Sequence, residues 1–481
     1  MSQQPGSNCA RWSARVLWTL LLTLTLSAAW ADGPPQRGWG TAQRIDANDY
    51  GNTPQIVADN RGNAIAMWTQ FDALPQQYGV WTNRYTAEKG WDTPKRINDY
   101  VGQAAELALA VNGRGEAIAV WAQYSLSDPD NPSAPFHSSL WSNRFEPGEG
   151  WGTAVQIQDA STYALAPKVS MDARGNAIVV WHQQNAALDI TNIYGTRYSK
   201  QDGWAAPRLL QADAAMQGTY PQVAMTDGGD AMIAWGQTDQ TTFASNIASL
   251  RYSARDGWSA PDNVPGTDGA GVAALGVDGR GNAIAAWVRM DPSTFQDNVF
   301  ASRYGVKHGW DVPEMLQPGT DANGGQLHLA MNGSGQAMAL WKESVYSLGG
   351  DFTFEMHANR YVPGKGWQGS QLVGTTAIYP DTGGSNPQIG MDEGGNAMAV
   401  WEQPNYAALT DPYAQPPSNI QAFRFTPGKG WDSGTSIQNG TDQASNAQVS
   451  VTTNGSAFAA WQQQDMTTGA TSMWANHYDK P

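Results

Sequence analysis

The chain has one cysteine in 481 residues, Cys9, and it stands before the only long apolar run. Beyond it there is no thiol, which excludes disulfides, thiolate metal centres and cysteine nucleophiles from the rest of the chain. Its position upstream of the apolar run also rules it out as a lipid-modified cysteine. Charge is scarce as well: 15% of residues are charged, and 28 basic residues face 43 acidic ones for a net charge of −15. Such a surface repels nucleic-acid phosphates and anionic lipid heads, so no nucleic-acid partner is expected. Long apolar runs are missing after Leu26, and the run from Val16 to Leu26 falls short of the ~20 residues of a spanning helix. No membrane insertion is expected. No Gly-rich phosphate loop, HExxH, GxSxG or clustered His/Cys spacing is present. The six histidines, His137, His182, His308, His328, His357 and His477, are scattered, and no metal site or cofactor is expected. Calcium stays open only through loop carboxylates.

The first segment reads as a secretory signal peptide over residues 1–31: Arg11 and Arg15 precede the apolar run, and Ala29-Trp30-Ala31 supplies small residues around a cleavage site. The protein is therefore expected to be secreted or periplasmic. Its removal takes away two positive charges and leaves a still more acidic chain.

What the sequence has in abundance is glycine, tryptophan and repetition. Trp68, Trp121, Trp181, Trp235, Trp287, Trp341, Trp401 and Trp461 recur 52 to 60 residues apart, each with glycine six positions before it and alanine four before it. Periods of this size indicate propellers, solenoids or arrays. The segment "PKVSMDARG" reads as a strand running into a tight turn, where Asp, Asn or Thr caps the turn and glycine takes positive φ. A calcium loop is the functional rival for "DARGN", but it lacks a third acidic ligand and a terminal Glu. The next strand, "NAIVVW", is apolar on both faces and must be buried on both. A third strand carries Arg84, Arg144, Arg197, Arg251, Arg303, Arg360, Arg424 or His477. A fourth begins with Gly-Trp at Trp91, Trp151, Trp204, Trp258, Trp310, Trp367 or Trp431.

Four short antiparallel strands per period define a propeller blade. The last copy, 443–478, lacks a Gly-Trp strand, whereas residues 37–45 form an unattached one. The reading is all-β: residues 32–481 form a single eight-bladed β-propeller of four-stranded antiparallel blades, closed by the N-terminal strand completing the last blade. Two four-bladed rings are the alternative, against which the single closing strand argues.

The glycine-turn-tryptophan hairpins resemble the Asp-box repeats of sialidase-like propellers, which implies the same fold over residues 32–481. Asp172 and Trp181, nine apart, are more widely spaced than in an Asp-box. Sialidases also need three arginines around a substrate carboxylate, whereas Arg289 alone departs from the repeated arginine positions near the inner part of one face. The "NRY…GW" half-blade, as in Asn359-Arg360-Tyr361 to Trp367, is similar to the repeats of fucose-binding propeller lectins, which implies sugar sites between blades. The same residues also suit a structural role, with Arg packed over Trp.

Loop lengths locate the working face. The first hairpin and the Arg-to-Gly-Trp turn never vary, whereas the interval from second-strand tryptophan to third-strand Arg or His is 16 residues in five blades, 23 in blades 2 and 7, and 19 in blade 6. Variable polar and aromatic loops on a rigid scaffold commonly carry binding. The candidate ligand-binding residues are therefore Asp128 and His137 in blade 2, Arg289 in blade 5, Glu343, Asp351 and Glu355 in blade 6, and Tyr379, Asp381, Tyr406, Asp411 and Tyr413 around blade 7. Glutamine stands two positions after the tryptophan in six blades, replaced by Arg289 and Glu343 in the other two. The amides suit bonds to neighbouring backbone; the two exceptions either pair as ions or mark an asymmetric ligand site. His328, on a first strand near the axis, reads as structural. The expected function is binding or scaffolding with a glycan or protein segment as partner; the alternative is a glycan hydrolase or lyase using loop carboxylates. Nothing in the sequence sets an oligomeric state.

Overall fold

The repeat unit folds as a meander whose first turn is built by side chains. In blade 3 the strands Ala164–Met171 and Ala177–Asn185 are joined by a turn in which Asp172 Oδ1 accepts the Arg174 and Asn176 amides at 2.9 and 2.8 Å, while Oδ2 accepts Asn176 Nδ2 at 2.7 Å. Gly175 sits at φ 87°, where a Cβ would be strained. With both Asp172 oxygens occupied by the turn itself, this is a cap and not a cation loop. A third strand, Ile190–Ser199, pairs with the second, and Gly203–Trp204 and Arg208–Leu209 pair with the third.

The structure is a computed structural model that describes residues 38–72, 76–98, 102–126, 136–158, 163–185, 188–317, 322–346, 352–378, 385–406 and 416–480. All belong to the unit Arg37–Pro481. They form eight antiparallel sheets with the same strand order, one per repeat. The first strands of successive blades touch one another in an unbroken circuit, including the last against the first. One eight-membered ring results, and the two-ring alternative is excluded. Closure is by the N-terminal strand: Gly38–Trp39 and Gln43–Arg44 pair with Thr471–Asp479 of blade 8.

The second strands are buried on both faces. Ala177, Ile178, Val179, Val180 and Trp181 are all fully enclosed, as are the eight equivalent tryptophans. Trp181 packs into blade 2 against Ile118, Val120 and Ala122. The small residues at this level let neighbouring sheets approach around each indole.

The fourth strand differs from its expected form. In seven blades it is a Gly-Trp pair followed by a separate short piece, and in four of them Pro94, Pro207, Pro261 or Pro313 interrupts the ladder after the tryptophan. Blade 6 has one continuous strand, Gly366–Ile378.

The "NRY…GW" motif is absorbed by blade-to-blade packing. The third-strand arginine lies over the third-strand aromatic ring of the following blade, with Arg84 over Phe145, Arg144 over Tyr198, Arg197 over Tyr252, Arg251 over Tyr304, Arg360 over Phe425 and Arg424 over Tyr478. That ring meets its own fourth-strand tryptophan edge-on, as in Tyr252 with Trp258 at 5.0 Å. The expected Arg-over-Trp contact is thus replaced by Arg over Tyr or Phe at these six places.

Candidate ligand-binding face

The varying connections and the start of every first strand share one face of the ring. At that end each first strand breaks its pairing register. Thr53, Glu106, Ala166, Tyr220, Gln326, Asn386 and Asn446 occupy these bulges with φ between 48° and 56°. Left-handed backbone at non-glycine residues costs roughly 1 kcal/mol or more apiece, so the surroundings must hold it. At three of the seven the support comes from the preceding blade. Glu106 accepts the Ala166 amide, Gln326 Oε1 accepts that of Asn386 at 3.2 Å, and Glu402 Oε1 accepts that of Asn446 at 2.7 Å. The result is a ring of polar side chains around the mouth of an axial channel.

Sequence reasoning missed this ring. A signal was present: Pro54, Pro167, Pro221 and Pro387 follow the bulge residue in four first strands, and proline inside a strand is confined to edges and bulges.

Two residues further in, the first strands place Gln55, Ala108, Lys168, Gln222, Ala274, His328, Gln388 and Gln448 at one common register, each opposite the residue before the second-strand tryptophan. Lys168 keeps solvent contact, and His328 is half-buried. Burial and the Lys168 charge push the His328 imidazole down to about 4. Blades 3 and 6 are not neighbours, so these side chains influence each other across the axis.

His328 therefore predicts a pH dependence. Its folded value lies below the unfolded one near 6.5, so its contribution to stability is full above that pH and is lost as pH falls toward 4. The expected loss is about 3 kcal/mol at the low-pH limit. Urea denaturation at pH 7 and pH 4 should show this extra loss in the wild type relative to His328→Gln; equal slopes in both proteins would refute it.

The ring of glutamines is largely scaffold. Indole Nε1 donates to the glutamine Oε1 in Trp68–Gln70, Trp121–Gln123, Trp181–Gln183, Trp401–Gln403 and Trp461–Gln463 at 3.0 to 3.2 Å. The amide nitrogens of Gln70, Gln403 and Gln463 reach the preceding blade's outer connection, as in Gln403 Nε2 to Thr375 O at 3.3 Å. Arg289 takes over only the anchoring: Nη1 donates to Gly266 O at 2.9 Å and the guanidinium covers Phe300 at 4.3 Å, while Trp287 Nε1 has no hydrogen-bond partner among the described residues. Arg289 makes no ion pair with Glu343, so both exceptions have local explanations.

Glu343 is buried and accepts Trp341 Nε1 at 2.6 Å. Its other oxygen lies 3.6 Å from His357 Nε2, which meets Glu355 Oε2 at 2.8 Å, while His357 Nδ1 lies 3.1 Å from Ser370 Oγ. The structure thus brings Glu343 and Glu355 together through a histidine that had no assigned role. Glu355 is a strand residue, paired directly with Glu343, and not a loop carboxylate. His137 is likewise in a strand, opposite Ser125, with its ring 6.3 Å from Tyr163. Among the described residues no group of His, Cys, Asp and Glu is arranged to hold a metal.

Between blades 6 and 7 the same face opens a cavity of about 460 Å³. Gly374 and Thr375 form one wall; Gln403, Asn405, Asn419 and Gln421 form the other, over the Phe423 ring. Phe423 stacks on Trp401 at 4.2 Å, and a Cβ on Gly374 would stand 3.2 to 3.3 Å from these two rings, so glycine is what leaves the floor open. Asn419 Oδ1 accepts Gln438 Nε2 at 2.9 Å. The Gln421 side chain makes no hydrogen bond within the described residues. Tyr406, half-exposed, follows Asn405 at the rim. Tyr379, Asp381, Asp411 and Tyr413, with Asp128 and Asp351, lie outside the described residues.

Comparison with known proteins adds little beyond the fold. No family model matches the chain and no curated protein matches it. Similar solved structures include the polysaccharide lyase Uly1, at 9% identity with 94% of each chain covered and a TM-score of 0.48. The NanB sialidase of Streptococcus pneumoniae, in complex with 2-[(3-chlorobenzyl)ammonio]ethanesulfonate, gives 8% identity, 92% and 98% coverage and a TM-score of 0.39. A Dyadobacter fermentans protein of unknown function gives 11% identity, 68% and 98% coverage and a TM-score of 0.40. The loose sialidase-like resemblance holds as propeller architecture, which this chain's own eight sheets show. The assignment of eight blades rests on this chain's own strand order and ring contacts.

Proposed function

We propose that this is an exported propeller that binds a glycan on its variable face, in the cleft between blades 6 and 7. The observation that carries the reading is the composition of the cleft: planar amides on the walls over an aromatic floor. A sugar ring presents an apolar C–H face and a rim of hydroxyls that both donate and accept, and amides next to an aromatic ring complement both. Gln421 has donor and acceptor capacity that the described fold does not use. Export is supported by the order of basic, apolar and small residues through position 31. The enzyme alternative gains nothing from blade 6, where Glu343 and Glu355 are joined through His357 on the face turned toward blade 5.

The test is a glycan array probed with the secreted chain, followed by titration of the best oligosaccharide. Gln421→Ala is expected to weaken binding about tenfold, the worth of one to two hydrogen bonds. Excision of 407–415 is expected to abolish it, and Arg251→Ala, between the outer strands of blades 4 and 5, to leave it unchanged. Absence of any glycan ligand, or binding indifferent to the first two changes, would sink the proposal. Release of product from a bound oligosaccharide would replace it with the enzyme reading.

A further inference from the structure

The axial channel holds a charge that the fold does not compensate. Two other lysines are ion-paired, Lys200 with Glu116 and Lys480 with Asp392 at 3.3 Å. Lys168 has no ion-pair partner among the described residues. Its ammonium is held below the ordinary lysine value by burial, with no carboxylate acting in the other direction. It is nonetheless open to solvent. Lys168 stands on a first strand, and the first strands of the eight blades touch in a circuit around the ring axis, so its side chain is open to solvent at the axial channel.

The rest of the ring fits one ligand chemistry. Gln55, Gln222, Gln388 and Gln448 share the Lys168 register, and Gln388 Nε2 lies 3.5 Å from His328 Nε2. Amide nitrogens and an ammonium are donors for oxyanions, and His328 stays uncharged at neutral pH. The carboxylates nearer the mouth are turned onto donors of their own ring. Glu106 is held by Tyr124 Oη at 3.0 Å and by the Ala166 amide, and Glu402 by Ser385 Oγ at 2.9 Å, Asn386 Nδ2 at 2.6 Å and the Asn446 amide. Lys168 lies two residues, about 7 Å along an extended strand, inside that mouth. Deeper still the blades knit together directly, with Ser170 Oγ accepting the Met225 amide and Ser450 Oγ accepting that of Ala58, both at 3.0 Å. The channel is thus accessible from the variable face and tightened beneath the ring.

We infer that the axial channel is an oxyanion site in which the Lys168 ammonium and the ring glutamines hold a sulfate or carboxylate group entering from the variable face. The group is either a free ion or the acidic substituent of a saccharide. The site uses none of the residues of the blade 6–7 cleft, so it stands or falls independently of the function proposed above. A binding site that pays for its unpaired charge in stability has a second signature: Lys168→Met should be at least as stable as the wild type.

The experiment is calorimetric titration of the full secreted chain at fixed ionic strength with sodium sulfate, glucuronic acid and glucose, on wild type, Lys168→Met and Lys168→Arg. Expected are binding of sulfate or glucuronate but not glucose, a loss of tenfold or more in Lys168→Met, retention in Lys168→Arg, and an undiminished Tm in Lys168→Met. Sulfate alone assigns the site to a free oxyanion; glucuronate alone assigns it to a saccharide acid. No binding of either anion, or binding that Lys168→Met leaves intact, overturns the inference. A Lys168→Met protein with a lowered Tm overturns it as well, because the lysine is then part of the scaffold.

Discussion

A chain begun at Ala47, without the closing strand, is expected to lose cooperative folding altogether, an effect larger than any single substitution. The strand joins three blades at once. Asn476 Nδ2 donates to Gly40 O at 3.0 Å and Asn439 Nδ2 to Ala42 O at 2.8 Å; Asn83 Nδ2 donates to Ile45 O and Asp46 Oδ2 accepts the Met473 amide, each at 2.8 Å. Ile45 is buried with Ile56, Trp68, Phe458 and Met473. Burial of such a side chain contributes about 1.5 to 3 kcal/mol and each bond about 1. The whole net stability of a domain is only about 5 to 15 kcal/mol. Removal also leaves Thr471–Asp479 as an unpaired edge, a template for aggregation. Thermal unfolding followed by circular dichroism, with light scattering for aggregation, checks this. A truncated chain that melts cooperatively within about 5 °C of the full one would show that the ring does not need its closing strand.

Trp181→Ala is expected to destabilise the propeller by about 3 to 5 kcal/mol. The indole is fully enclosed, fills the space between blades 2 and 3, and is hydrogen-bonded to Gln183 at 3.0 Å. Its removal leaves both a cavity and an unused amide oxygen. Trp81, at the third-strand position opposite Trp68, is only half-buried, and Trp81→Ala should cost about 1 kcal/mol, within the ordinary range for a point change. Guanidinium denaturation midpoints of the two variants give the comparison. Equal costs would mean that the eight tryptophans are not what holds adjacent blades together.

Much of the candidate site was invisible one blade at a time. The glutamine two positions after the tryptophan in six blades is conspicuous in the sequence, yet in five of them it caps the indole. Arg289 looked exceptional and anchors the preceding connection with a guanidinium, without capping Trp287. Glu343 and Glu355 were legible as candidates, but His357, which joins them, carries no local signal. It stands where Trp81, Trp141 and Trp474 stand in other blades. The blade 6–7 cleft depends on Gly374, whose value lies in a missing Cβ next to two rings from another blade.

By itself the sequence determined the number of blades, the strands in each, the hairpin caps, the closing strand and the face on which lengths vary. These are local or periodic properties: turn glycines, capping oxygens and two-sided apolar strands act within one repeat, and copying the repeat copies the result. The tertiary structure alone decided which unrepeated residues meet. Lys168 and His328 occupy the same place in their own blades and look unrelated until the ring closes and turns a shared register into a shared channel. Three of the bulges belong to the same class, since the Ala166, Asn386 and Asn446 amides are satisfied by the blade before and not by their own strand. Repetition sets where each side chain points, and closure of the ring sets what it faces.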